Sequence, residues 1–311
     1  MRSVLKTIKN QRVNRTPVKV LLFILLLGFI VYRLYQENWS AMNALQLKNP
    51  VYLLLSFALI AVNQGCEWFK WKLTIRHLVN DPAILRKSFF GGIGAGFLTP
   101  NGWGNFLGRM VYFRRRDRMY IVMASFIANV SQVLPTILFG AVACLFCAKV
   151  PVQLAYIAFG AGAFILVTFF FGERLLPSGN SRNKFIRHFR SSQQKLGSLR
   201  LPLFLWSNLR FLVFSFQYVL LFMAFGYTEW WFLLTNVWMI FVLTSFVPSL
   251  WSGKIVIRET AAIFVFTGTM VAVPDAVIVS LLIWLFNNVI PAAVSSLAWI
   301  PVPKRKVHVV D

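Results

Sequence analysis

The sequence predicts an all-α polytopic membrane protein. Seven or eight transmembrane helices are expected, with one or two re-entrant helical hairpins, arranged as an inverted repeat. Three observations carry this. The 311 residues are 58% hydrophobic and only 13% charged, more apolar surface than a soluble domain of that length buries. Apolar windows of about 18 residues or more recur along the chain, the length a helix needs to cross a bilayer. The basic residues gather between those windows rather than within them. The alternating short strands of a membrane barrel are not seen. No polar stretch is long enough to fold as a separate soluble domain.

Residues 1–17 read as a basic cytosolic N-terminus, followed by an apolar run. Tyr32, Arg33, Leu34 and Tyr35 follow that run where a cleavable signal needs small residues, so it reads as an uncleaved anchor. Candidate spans are 18–36, 50–66, 119–148, 151–172, 201–226, 229–247, 256–273 and 276–300. Together, residues 18–300 make one transmembrane domain, and 301–311 a cytosolic tail. Cys144 and Cys147 sit mid-span, where they read as small packing residues rather than a redox pair.

The net charge of +23 has a topological meaning here. Lys and Arg number six in 1–19, five in 70–87, five in 109–118, seven in 174–200 and three in 304–306, which is 26 of 32. The connections 37–49, 149–150 and 226–229 hold only Lys48 and Lys149. The positive-inside rule places the five rich segments, and both termini, in the cytosol of a bacterial-type inner membrane. No basic domain exists to hold nucleic acid. The partners implied are membrane lipids with anionic headgroups, with a membrane protein or a second copy as further possibilities.

The stretch 88–109, SFFGGIGAGFLTPNGWGNFLGR, holds seven glycines and a Thr-Pro-Asn-Gly break. Its flanks fall on the same side, so it crosses an even number of times. About 21 residues at roughly 1.5 Å each cannot cross twice. The segment near 88–108 therefore dips in and returns, with its tip at 99–105. Pro100 ends the first half-helix by removing a donor. Gly92 and Gly96 offer a small-x-x-x-small face for a neighbouring helix. Non-helical backbone at membrane depth is tolerated where it is buried or lines a wet cavity, which points to a pathway or binding site.

A weaker version lies near 246–264, with Pro248, Trp251, Gly253 and Arg258 against Pro100, Trp103, Gly104 and Arg109. Two Gly/Pro-interrupted segments in corresponding halves point to a transporter built from repeats. Two full spans with a cytosolic loop, or a hairpin entering from outside, both fit this second region. The hairpin alone makes the halves inverted copies.

Ionisable groups inside a bilayer cost at least about 2.5 kcal/mol at its centre, so each needs a reason. Arg210 is deep in a span and could hold an anionic headgroup, or pair with an acid such as Glu259. Arg258 and Glu259 are adjacent and expected to point apart rather than to pair. Glu67 closes the second span and reads as an interfacial ion pair with Lys70. Pro135 and Pro291 are expected to kink their helices. No His cluster, paired aspartates or Walker-type loop is seen, so neither an enzyme nor a cofactor is expected.

At its two broken segments the sequence resembles the transmembrane region of the lysylphosphatidylglycerol synthase/flippase family, over about residues 15–300. The first motif resembles Thr-Pro-x-x-x-Gly-Glu followed by Arg: here Thr99, Pro100, Asn101, Gly102, Trp103, Gly104 and Asn105, then Arg109. The second resembles Pro followed by Gly-Gly-x-Gly-x-Arg-Glu: here Pro248, then Gly253, Lys254, Ile255, Val256, Ile257, Arg258 and Glu259. Asn105 stands where the family has a glutamate and Gly102 where a basic residue is frequent. Lys254 and Val256 replace glycines. The resemblance implies a bundle of about eight helices with two re-entrant elements that binds or moves polar lipids. The aminoacyl-transferase domain of bifunctional members is not expected here.

Two functions follow as expectations. One is a phospholipid flippase or related transporter acting on a polar headgroup. Thr99, Pro100, Asn101, Gly104, Asn105 and Arg109 would form one half of its gate, and Lys254, Arg258 and Glu259 the other. Arg210, Lys254 and Arg258 would attract phosphate; Glu259 would pair with a cation or carry a proton. The alternative is a non-transporting membrane subunit that binds lipid or positions a partner enzyme.

Overall fold

The computed structural model describes residues 46–79, 81–99, 104–115, 117–147, 150–172, 194–246 and 253–297, together with residue 32; at 154, 246 and 253–255 only the backbone is described. The anchor run at 18–36, the basic N-terminus and the tail at 301–311 lie outside this set, apart from that one residue. All regular structure in the described residues is helical. Four helices are long and apolar enough to cross a membrane: Pro50–Ile75, Arg118–Phe146, Arg200–Ala224 and Val273–Ser296.

Helix α1 runs from Pro50 to Ile75, with the proline in its first turn and Lys72 in its last. It outlasts the expected span of 50–66 by nine residues. Glu67 and Lys70 are therefore inside a helix, not at the edge of one. Helix α2, Pro82–Leu98, starts at Asp81, whose carboxylate accepts the Ala83 N–H at 2.8 Å. It stops at Thr99, extended at φ −118° and ψ 149° before Pro100, as a residue preceding proline prefers. Helix α3 is short, Gly104–Met110. Then come α4, Arg118–Phe146, and α5, Val152–Phe171. Helix α6 spans Arg200–Ala224, α7 Trp230–Phe246 and α8 Gly253–Phe266. Helix α9, Val273–Trp284, passes through a π-helical segment, Leu285–Val289, into α10, Ile290–Leu297.

Of the two prolines expected to bend helices, Pro135 lies inside an unbroken α4. At Pro291 the irregularity is the π segment just before it. A proline cannot donate to the carbonyl four residues back and its ring crowds that carbonyl, so a widened turn relieves the conflict.

Helices α1 and α6 form the central seam. Ser56 Oγ donates to the Gln217 carbonyl at 3.1 Å, and Gln217 Nε2 donates to the Ser56 carbonyl at 3.0 Å. Two turns along α1, Asn63 accepts from Arg210, two turns back on α6. The two helices are thus antiparallel. One apolar core lies among α6, α7, α8 and α9, around Tyr218, Phe222, Trp238, Phe241 and Phe266. A second joins α1, α2, α4 and the start of α6, around Trp71, Phe89, Ile121, Leu134 and Leu203.

Helices α2 and α3 pack against each other, against α4 and against α10. Helices α7 and α8 likewise pack against each other, and also against α4, α6 and α9. The α2–α3 contact is backbone to backbone. A Cβ on Gly104 would lie 2.0 Å from the Ala95 carbonyl oxygen, and one on Gly108 2.2 Å from that of Gly91. These two glycines, one turn apart, let the returning helix lie on its partner. The Gly92–Gly96 face, expected to receive a neighbouring helix, receives α3 itself: a Cβ on Gly92 would meet Arg109 and the Asn105 side chain, each at 2.7 Å.

Candidate functional site

The α2–α3 pair carries Arg109 into the interior, where it is 2% exposed. Arg109, expected at the gate and also counted with the basic segment 109–118, belongs to the last turn of α3 and turns inward. Its Nη2 donates to Glu67 Oε1 at 3.0 Å, and its guanidinium lies 4.4 Å from the centre of the Trp71 ring. Trp71 is held in turn by donating its Nε1–H to Ser88 Oγ at 3.0 Å.

Glu67 is the hub. Arg210 Nη1 donates to its Oε2 at 2.8 Å, and Lys70 Nζ approaches the same oxygen at 3.4 Å. Three cations thus surround one carboxylate, and Glu67, Lys70 and Arg109 are all buried. The expectation of an exposed interfacial Glu67–Lys70 pair is corrected. The pair forms, but within the protein, because α1 continues past it. The proposed Arg210–Glu259 pairing is also corrected, since the carboxylate beside Arg210 is Glu67.

Amides complete the arrangement. Arg210 Nε donates to Asn63 Oδ1 at 2.8 Å, and Asn63 Nδ2 donates to Asn287 Oδ1 in the π segment. Lys70 Nζ donates to Gln132 Oε1 on α4 at 3.3 Å. Glu67 is eight residues from the end of α1 and Arg210 ten from the start of α6. Those offsets place the cluster about 12–15 Å along the helices at roughly 1.5 Å per residue.

A cavity of about 210 Å³ opens onto these charges, lined by Glu67, Arg109, Arg210, Asn105 and the π-segment residues Asn287 and Asn288 among others. Two buried polar atoms at it, Arg109 Nε and Asn105 Oδ1, have no hydrogen-bond partner among the described residues. A buried polar atom left unpaired costs about 1–3 kcal/mol, so both are open to contact with water or a ligand. An apolar groove of about 340 Å³ shares the walls Gln64, Ile93 and Pro291 with this chamber. Another, of about 440 Å³ between α2 and α10, meets it at Phe97.

No family model, curated protein or solved structure matches this chain.

The remaining predicted residues fall in three places. Thr99 organises the tip: its Oγ1 donates to the Ala95 carbonyl at 2.9 Å and accepts the Gly104 N–H, tying the two half-helices together. Pro100 and Asn101 lie outside the described residues, as does Pro248. Lys254 lies in the first turn of α8, where only the backbone is described.

Arg258 and Glu259 form a second, separate cluster. They do pair, Arg258 Nη2 to Glu259 Oε1 at 3.2 Å, against the expectation drawn from their 100° offset. Ser280 on α9 is the reason. Arg258 Nε donates to Ser280 Oγ at 2.9 Å, and that hydroxyl donates to Glu259 Oε1 at 3.0 Å, so both side chains swing to one hydroxyl. Glu259 Oε2 is buried without a hydrogen-bond partner among the described residues.

Sequence reasoning missed Glu67 and Lys70 as site residues, and with them Asn63 and Gln132. The available signal was their spacing. Two charges at i and i+3 within QGCEWFKW continue the apolar stripe of α1 instead of ending it.

Proposed function

We propose that this chain is an integral inner-membrane protein that receives a polar lipid headgroup at the Glu67 chamber and moves the lipid across the bilayer, in the manner of a flippase. The observation that carries the reading is the pairing of a buried cationic chamber with adjoining apolar grooves, an amphipathic site for an amphipathic ligand. The deep position of the chamber along α1 and α6 supports it, because a charged site far from the helix ends is where a translocated headgroup must pass.

An architecture of seven or eight spans with two re-entrant hairpins and inverted halves goes with this reading. Each hairpin packs on a helix of the other half: α2 on α10, and α7 on α4. Helices α1 and α6 meet along an antiparallel seam between the halves. The motifs at 99–109 and 248–259 support membership of the lysylphosphatidylglycerol synthase/flippase transmembrane family. Both termini lie in the cytosol in this reading.

Translocation of fluorescent phospholipids by the purified chain in proteoliposomes tests it. The wild type should move lipid. Arg210→Ala should slow it about tenfold or more, the equivalent of roughly 1.4 kcal/mol at the barrier. Glu259→Gln should also slow it, by removing the carboxylate of the second cluster. Lipid bound by folded protein but never moved would establish the non-transporting subunit instead.

A further inference from the structure

We infer that the chamber selects a phosphate group carrying two negative charges, as in a phosphate monoester or a diphosphate at the head of a lipid, over the singly charged phosphodiester. The inference rests on the chamber being a headgroup site. Its basis is charge arithmetic in a closed space. Lys70, Arg109 and Arg210 face a single acid, Glu67, and leave a surplus of two positive charges.

Among the described residues, no second acid lines the chamber. The other deep acid, Glu259, is taken up by Arg258 and Ser280. In a low-dielectric interior an uncompensated charge costs several kcal/mol. A dianion cancels the surplus, whereas a monoanion leaves one charge over. The donors are also in place. Arg109, 2% exposed, lines the cavity and has an unused N–H at Nε. Arg210 spends Nε on Asn63 and Nη1 on Glu67, leaving its Nη2 without a bond to a described residue. Guanidinium groups from α3 and α6 thus line one cavity with donors to spare, which suits a phosphate with several acceptor oxygens.

Asn105 is the determinant. It lies one turn before Arg109 on α3 and lines the same cavity. An acid at this position would halve the surplus and shift preference to a monoanion or a headgroup bearing a cation. The asparagine keeps the site doubly positive.

The test is binding of phosphatidic acid and phosphatidylglycerol to the full chain in zwitterionic nanodiscs, read by native mass spectrometry, with inorganic phosphate and pyrophosphate as free competitors. At pH 8 phosphatidic acid should bind about tenfold more tightly, a difference of roughly 1.4 kcal/mol. The preference should shrink as the pH falls through about 6, where a phosphate monoester dianion takes up a proton and becomes a monoanion. Asn105→Glu should reduce the preference to near parity, and Arg210→Gln should do the same from a different helix should the first variant misfold.

Equal affinity for both lipids across this pH range would overturn the two-charge inference and leave the headgroup reading intact. Free phosphate or pyrophosphate binding as tightly as the lipid would keep the two-charge chemistry and overturn the lipid reading. Failure of all four anions to bind would overturn both.

Discussion

Replacing Glu67 with glutamine is expected to cost the fold about 3–5 kcal/mol, the usual penalty for leaving buried charges without their partner. The substitution keeps the volume and removes the charge on which Arg109, Arg210 and Lys70 converge at 3.0, 2.8 and 3.4 Å. Nothing else in the cluster can take its place, because the neighbouring groups are amides that share hydrogen bonds but carry no charge. Three helices would lose their common anchor at once. Thermal unfolding in detergent measures the loss. Adding Arg210→Gln to Glu67→Gln should recover part of it, since one of the stranded cations goes with it. Strict additivity of the two substitutions would mean that the charges do not act as one body.

Gly104→Ala is expected to be nearly as damaging for a different reason. The new Cβ would stand 2.0 Å from the Ala95 carbonyl oxygen and 2.4 Å from its carbon, both backbone atoms that cannot swing aside. The returning helix must lift off α2, withdrawing Asn105 and Arg109 from the chamber. Overpacking typically costs about 1–3 kcal/mol, and the loss of the Glu67–Arg109 bond adds to it. Gly160→Ala on α5 is the control: nothing lies within 4 Å of its Cβ, and the helix should gain up to about 1 kcal/mol in propensity. Both variants read out in the same unfolding assay. Lipid binding should fall for Gly104→Ala and stay at the wild-type level for Gly160→Ala.

How much of this was legible beforehand depended on the kind of signal. Helix positions followed from apolar run length, and α4, α5 and α6 fall within about two residues of where the sequence puts them. The end of α2 at Thr99 was legible because the proline that follows acts locally, on the backbone before it. The charge cluster was not. Arg109 and Glu67 are 42 positions apart and Arg210 and Glu67 143, and no local rule links residues so distant. Charge counting also misled at single residues. It averages over a segment, so it placed Arg109 and Lys70 with their exposed neighbours Arg114 and Lys72. The Arg258–Glu259 pair shows a related limit: an angular rule for a lone helix does not anticipate a hydroxyl on another helix drawing both groups together.

The π segment at Leu285–Val289 sets the phase of everything after it. A π turn accommodates about one residue more than an α turn, and each residue of an α-helix advances the chain by about 100°. Were the same residues wound as an α-helix, α10 would be rotated by about that angle relative to α9. Ser295, which faces Gly94 of α2 closely enough that a Cβ there would lie 2.9 Å from its hydroxyl, would be carried off the hairpin. Asn287 would lose its place beside Asn63 at the same stroke. One extra residue thus works as a phase key, letting a single continuous helix present its polar amides to the charged chamber and, a turn later, its small residues to the hairpin that closes it.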